Sequence, residues 1–401
     1  MTRERRGEAV TRTDARAVAP ERRWEERVQR TAHPLVYPLL SRVRRPVLRV
    51  PRIGVVVSDA AVLRSVLLDQ ERFTKTGPGS PADLWTPVLG PSVLLNMEGA
   101  DHHALRRRLA PLFAPGYVAE LTRDTVGASA ERLTERLRAG ERVDLVAEVR
   151  EYAGRVISRL VGLDEEVLGE ELFARVSGVT GLVRLSRPRF TEEQATAARA
   201  VLDDLTRHAR RAYRDGSADT VPGRMRELGL GESEAMGAVG AFVLTGTETL
   251  VSYLPRLIAV LADTGWLGRL AHDRSLVDAA VAEGLRVTTP SPVMLRSVVA
   301  EAELAGVRVR PGDRLVLATF LADRASGAFD PVANPAASLK QLWFGAGAHF
   351  CLGAPLAMAQ IGLVLEAVLA AEQEAPLEIV DRRAQRRTLI PGYRSLVLAR
   401  R

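Results

Sequence analysis

Helical periodicity constrains this chain more than any other feature. Apolar residues recur three and four apart through Asp59–Leu68, Ala100–Phe113, Tyr117–Ala139, Leu145–Val161, Glu165–Leu182, Thr191–Tyr213, Glu232–Leu261, Ser275–Val287 and Leu352–Ala371. That spacing lays one apolar stripe along a helix. Strand-like stretches are short and sit mostly late: Arg52–Val57, Leu295–Val299, Val307–Arg310, Arg314–Phe320 and Ser395–Ala399. Gly312-Asp313 after Pro311 reads as a turn between two of them. Many helices with a few late strands predict a mainly α fold with a small segregated β-sheet region. Nothing marks a boundary, so residues 1–401 are expected to form one domain, with Met1–Arg23, polar and charged, as a flexible tail. Gly327–Trp343 has no clear period and reads as an ordered loop packed under something.

Composition narrows the classes. Apolar residues make up 46%, which is globular and not disordered. Cys351 is the only cysteine, so no intrachain disulfide can form and a reducing cytoplasm is the expected compartment. A lone cysteine is by default an inert, small, buried hydrophobe, so its neighbours must decide its role. The net charge is +7, yet Lys75 and Lys340 are the only lysines. Arginine suits forked recognition of phosphate or carboxylate, which raises nucleic-acid binding as a rival class. The arginines are scattered beside acids and aromatics are only 5%, so no nucleic-acid partner is expected. No run of about 18 apolar residues exists and the N-terminus lacks a signal-peptide core, so no membrane association is expected either.

The segment Phe344-Gly345-Ala346-Gly347-Ala348-His349-Phe350-Cys351-Leu352-Gly353 brackets that cysteine with three glycines and leads into a helix. Gly345 and Gly347 permit left-handed backbone and close approach of a ligand. Amides at a helix start bias a thiol towards thiolate. Gly353 would let a flat cofactor lie against the first turn. The alternative is a glycine loop around an inert cysteine.

This segment resembles the cysteine-loop signature of the cytochrome P450 family, Phe-Gly-x-Gly-x-His/Arg-x-Cys-x-Gly, at every fixed position. The resemblance implies the P450 fold, a thiolate-ligated haem b (iron protoporphyrin IX) with Cys351 on the metal, and His349 on a haem propionate. A thiolate ligand favours O–O cleavage. The likeness runs in order from about Arg52 to the C-terminus. Glu283-Gly284-Leu285-Arg286 matches the family's Glu-x-x-Arg, a structural pair on one helix face. His102 and Arg106 match a His-x-x-x-Arg helix that reaches propionates, with His103 and Arg107 as off-register alternatives. Arg296 stands where the family carries another propionate-binding arginine. Thr245-Gly246-Thr247-Glu248-Thr249 resembles the oxygen-activating segment. There Gly246 and threonine hydroxyls would open the helix, Thr249 would hydrogen-bond dioxygen and Glu248 would help deliver protons. A merely kinked core helix is the alternative.

Several positions depart from the family. Thr245 replaces the usual Ala, and Leu250 follows Thr249 where a second Thr is common. Pro255 is expected to kink or end its helix. The loop before the cysteine lacks the arginine that joins the Glu–Arg pair, and Gln341 replaces a propionate-binding His. The resemblance puts the pocket at Thr76–Asn96, Gly178–Phe190, Phe242, Thr245, Pro290–Leu295 (including Val293 and Met294) and Leu389–Tyr393, with Arg184, Arg187 and Arg189 among few charges. It implies a small apolar substrate, oxidised by hydroxylation, epoxidation or coupling, a natural-product scaffold, electrons from an acidic ferredoxin and its reductase, and a monomer. A non-catalytic haem sensor is the rival reading, and the Glu248–Thr249 pair argues against it.

Overall fold

The computed structural model describes residues 20–163, 174–175, 178–183, 189–216 and 220–401. The helices are α1 (Pro20–Ala32), α2 (Val36–Leu40), α3 (Ala60–Leu68), α4 (Pro81–Leu89), α5 (Gly99–Leu109), α6 (Pro115–Arg138), α7 (Leu145–Val161), α8 (Glu192–Asp215), α9 (Val221–Glu227), α10 (Glu232–Gly246), α11 (Glu248–Asp263), α12 (Trp266–His272), α13 (Val277–Thr288), α14 (Thr319–Arg324) and α15 (Ala354–Glu374). The strands are β1 (Val47–Val50), β2 (Gly54–Val57), β3 (Phe73–Thr74), β4 (Val143–Asp144), β5 (Met294–Val298), β6 (Ala302–Leu304), β7 (Val307–Val309), β8 (Arg314–Leu317), β9 (Leu377–Ala384) and β10 (Tyr393–Arg400). The mainly α fold with small segregated sheets is as the sequence predicts.

Local chemistry sets the boundaries. Asp144 caps α7 by accepting from the Val146 amide, and left-handed Gly162 ends it. Thr191 and Gln194 form a reciprocal capping box at the start of α8. The strands form three separate sheets. One runs β1-β2-β8-β5-β3, with β2 and β8 parallel and the other neighbours antiparallel. A second runs β4-β10-β9, and β6-β7 is a hairpin. One contiguous apolar core reaches from Val28 to Leu398, with α6 and α15 packed along each other through its middle.

Three expectations are corrected. Residues 20–23 are the first turn of α1, not tail, because Glu25, Gln29 and Val28 are buried and fix that helix. Residues 1–19 lie outside the described residues, as do most of the helix expected at Glu165–Leu182 and the pocket arginines Arg184 and Arg187. Phe320 begins no strand extension: β8 stops at Leu317 and α14 follows. Pro255 neither ends nor interrupts α11, whose residues Leu250–Leu261 are all buried. A helix-interior proline costs about 3 kcal/mol, and packing on every side offsets it. Finally, Glu232–Asp263 and Ala354–Glu374 are long and apolar enough to cross a membrane by length and composition. Small residues raise their hydropathy without making an unbroken apolar run, and more than half of each is buried inside the protein.

Candidate active site

Cys351 lies three residues before α15, in the turn that enters it. Its amide donates to the Phe344 carbonyl at 2.8 Å, closing the loop back on itself. Gly345 and Gly347 have φ of 84° and 67°, left-handed backbone in which a side chain is strained. A Cβ at Gly347 would also come 3.1 Å from the Leu67 carbonyl oxygen of α3. Phe344 and Phe350 meet edge to face at 6.0 Å. A Cβ at Gly353 would lie 4.0 Å from the cysteine sulfur, so glycine leaves that side clear. Burial pushes the Cys351 thiol up, against the Gly353 and Ala354 amides and the charge of Arg106, which pull it down.

Five basic or imidazole side chains converge beside this loop. His102 and His349 meet at a tilt of 52° with ring centroids 4.2 Å apart, and burial drives His102 down to about 4. Nδ1 of each ring is buried without a hydrogen-bond partner. Burial lowers Arg106, whose charge is felt at Cys351. Arg296 is almost wholly buried on β5, where burial lowers it to about 10 against the pull of Glu98, and among the described residues its guanidinium donates only to the Leu295 carbonyl. Two members were not singled out in the sequence. Glu98, at the N-terminus of α5, accepts from His349 Nε2 at 2.7 Å and from the Lys75 amide at 2.5 Å. Burial raises its carboxyl, but those bonds outweigh it and hold it down to about 2. Lys75 follows β3, and burial lowers it to about 7 beside Arg296 and Arg106. Lys75 and Arg296 thus share the pull of one carboxylate.

Beneath the loop, Glu283 and Arg286 are fully buried and forked, Nε to Oε1 at 2.8 Å and Nη2 to Oε2 at 2.7 Å. The missing arginine is replaced by main chain: Glu283 accepts from the amides of Asp330 at 3.0 Å and Ala336 at 2.8 Å. Arg286 donates to the carbonyls of Asp323, Gly327 and Ala328. Gly327–Trp343 is thus the ordered loop expected, gripped by this pair. Gln341 is exposed at a left-handed turn.

A family profile described as Cytochrome P450 matches residues 270–373. The C-19 steroid 1alpha-hydroxylase of Sorangium cellulosum is 31% identical, covering 79% of this chain and 83% of that protein. The chain belongs to the cytochrome P450 family. The mycinamicin IV hydroxylase/epoxidase of Micromonospora griseorubida is 29% identical to this P450 over 77% of its chain and 79% of the relative. The solved structure of CalO2 superposes with a TM-score of 0.74 and 27% identity, over 94% of this P450 and 97% of that chain. This P450 is a monooxygenase, and the family implies haem. Its residues fit that group: the loop glycines leave the sulfur side clear, two imidazole nitrogens lack partners among the described residues, and the basic side chains would suit the two carboxylates of a haem.

The distal elements are less simply arranged. The helix does open in the P450's Thr-Gly-Thr segment, at Thr247, where α10 gives way to α11. A Cβ at Gly246 would sit 2.6 Å from Ile157 Cδ1, so this glycine also admits α7. The threonines bond back beside it: Thr245 to the Ala241 carbonyl at 2.7 Å, Thr247 to Val243 at 3.2 Å and Thr249 to Thr245 at 3.1 Å. Such bonds compete with the helix ladder and bend it. Thr245 is exposed and Phe242 meets Phe113 edge to face at 4.9 Å. Met294, the first residue of β5, lies beside the loop, where a Gly345 Cβ would reach its sulfur at 4.0 Å. Val293, just before β5, lines a cavity with Gln29, His33, Tyr37, Leu389 and Ile390. Asp83 of α4 pairs with Arg189 at 2.9 Å, and Trp85 meets Phe190 at 5.5 Å, tying two expected pocket stretches together.

Proposed function

We propose that this P450 holds haem b through the Cys351 thiolate and oxidises an apolar natural-product scaffold by hydroxylation, epoxidation or coupling. The convergence of basic and imidazole side chains beside the cysteine loop carries the reading. His102, Arg106, Arg296 and His349 would bind the haem carboxylates; Glu283 and Arg286 hold the loop beneath. Bound there, haem would supply the metal that activates dioxygen. Thr249 would pass a proton and Glu248 would help bring protons from solvent. The Thr249 hydroxyl has its proton on the Thr245 carbonyl and two lone pairs left to accept from water, so a small rotation turns it into a relay. Thr245, Phe242 and Met294 would touch substrate. The relatives named for a steroid and for mycinamicin IV support an apolar, polycyclic or macrocyclic class. We further assign one domain, a monomer in the cytoplasm, and an acidic ferredoxin with its reductase as donor. The exposed Arg72, Arg107 and Lys340 support an acidic partner.

The decisive experiment is the reduced, carbon monoxide-bound spectrum. The red-shifted Soret band of thiolate ligation is expected, and its loss in Cys351→Ser. A wild-type spectrum in that variant would sink the assignment.

A further inference from the structure

Helix α10 is packed closely on two sides. Added Cβ atoms would come 2.6 Å from Ile157 of α7 at Gly246, and 2.9 Å from Val93, just after α4, at Gly237. Among the described residues from Ala235 to Leu261, Thr245 alone is exposed. Ala241 and Phe242, four and three positions before it, share its face and are partly open. Thr249 adjoins it across the bend, its hydroxyl donating to the Thr245 carbonyl at 3.1 Å. One polar side chain on a partly open apolar face is how a ligand pocket fixes orientation. The Thr245 hydroxyl donates its one proton to the Ala241 carbonyl at 2.7 Å, the ordinary length of such a bond. It keeps two acceptor lone pairs, and among the described residues nothing donates to it. The longer bond of Thr249 is the looser one. Thr245 is thus held as an acceptor, while Thr249 is free to turn.

We infer that Thr245 selects the substrate, accepting a hydrogen bond from a hydroxyl or N–H group on an otherwise apolar scaffold. This rests on the reading that the Cys351 site holds haem and that α10 borders its substrate. The donor group lies about one helical turn from the Thr249 relay, so the contact also sets which part of the scaffold is presented there. An alcohol offers the proton that Thr245 lacks. A ketone offers only more lone pairs and a hydrocarbon offers nothing, so both leave the acceptor unmet. Alanine, the usual residue at this position, cannot draw that distinction.

The test uses two matched probe series on the haem-loaded protein: cyclododecane, cyclododecanol and cyclododecanone, and adamantane, adamantanol and adamantanone. Binding is read by equilibrium dialysis, after the thiolate spectrum has established the haem site. Each probe is compared with itself across proteins, which removes its own hydrophobicity from the result. Thr245→Val keeps the shape and removes the oxygen. In at least one series it should weaken the alcohol about fivefold, the effect of one neutral hydrogen bond, and leave the hydrocarbon and the ketone near their wild-type affinities. Thr245→Ser should hold the alcohol as wild type does. Thr247→Val loses a back-bond of the same kind at a fully buried position; it should not weaken the alcohol, which separates contact from helix bend. The carbon monoxide spectrum of each variant checks that fold and haem survive. Failure of both alcohols to bind, equal losses for alcohol and hydrocarbon, a ketone loss matching the alcohol's, or no loss in either series would each overturn the assignment. Absence of the thiolate band would instead remove the haem reading on which it rests.

Discussion

Thr249 has a single proton to donate, and the Thr245 carbonyl holds it at 3.1 Å. A role in proton transfer therefore predicts separable effects on binding and chemistry. Thr249→Ala should leave haem content and substrate binding near wild type, because the lost bond is a local back-bond. Product formed per reducing equivalent should fall and hydrogen peroxide should rise. Loss of such a relay costs about 10²–10⁴-fold in the step it serves. An unchanged product ratio would mean that the bend is structural. Asp323 is a second residue with a specific signature. Its carboxyl is buried, accepts from the Thr289 hydroxyl at 2.9 Å, and has one oxygen without a partner. Burial raises it from 3.8 to about 8, against that hydrogen bond and Arg286. Between those values the native state keeps a proton that the unfolded chain has lost, so stability falls as pH rises through the window. Asp323→Asn keeps the shape and cannot ionise. Urea midpoints should favour it over wild type increasingly from pH 5 to pH 8.5; a constant difference would refute the linkage.

At the scale of elements, two contacts fix how α10, α11 and α13 cross their neighbours. Gly246 brings α10 against α7 at Ile157, and Gly284 brings α13 against Leu257 and Tyr253 of α11. Gly246→Ala should destabilise by about 1–3 kcal/mol through overpacking. Ile157→Val removes the clashing Cδ1 and should recover most of that in the double variant; thermal melts of the four proteins decide it. The fork of Glu283 and Arg286 predicts more. Removing one partner of a buried ion pair costs about 3–5 kcal/mol, so Glu283→Ala should emerge insoluble or without haem. A folded, haem-loaded but slow variant would contradict a structural role. The same elements explain what could be read in advance. Helices α5, α6, α7 and α15 carry regular apolar faces, and the cysteine loop is a contiguous motif, so both were legible. Helix α1, PERRWEERVQRTA, is charged along most of its length and is held by the burial of Glu25 and Gln29, which no apolar period announces. Pro87 hides α4. Glu98 and His349 are 251 positions apart; only the fold brings them together, so the carboxylate in the basic cluster gave no local signal. The packing of Gly246 against α7 gave no local signal, because its close partner Ile157 lies far away in sequence.

Across the whole molecule, the first described helix is tied to the last hairpin and to the middle of the chain. Glu25 accepts from Arg256 Nε at 3.0 Å, across 231 positions. Arg256 also donates to the Pro391 carbonyl at 3.1 Å, and Arg324 reaches Glu25 at 3.5 Å. Arg382 stacks over Trp24 at 4.1 Å, while His33 bonds the Leu389 carbonyl at 3.1 Å. Glu25→Ala leaves Arg256 buried without its carboxylate and should cost about 3–5 kcal/mol, read as a lowered denaturation midpoint; a shift within error would show that Ser252 and Pro391 suffice. This closure also has a consequence for synthesis. A ribosome makes α1 well before residues 382–391, at about 5–20 residues per second. For that interval the nascent helix lacks the part of its docking surface that the hairpin supplies, and contacts so distant in sequence form slowly. The newborn chain must wait, with the Trp24 ring short of its Arg382 partner, until the hairpin of β9 and β10 leaves the exit tunnel.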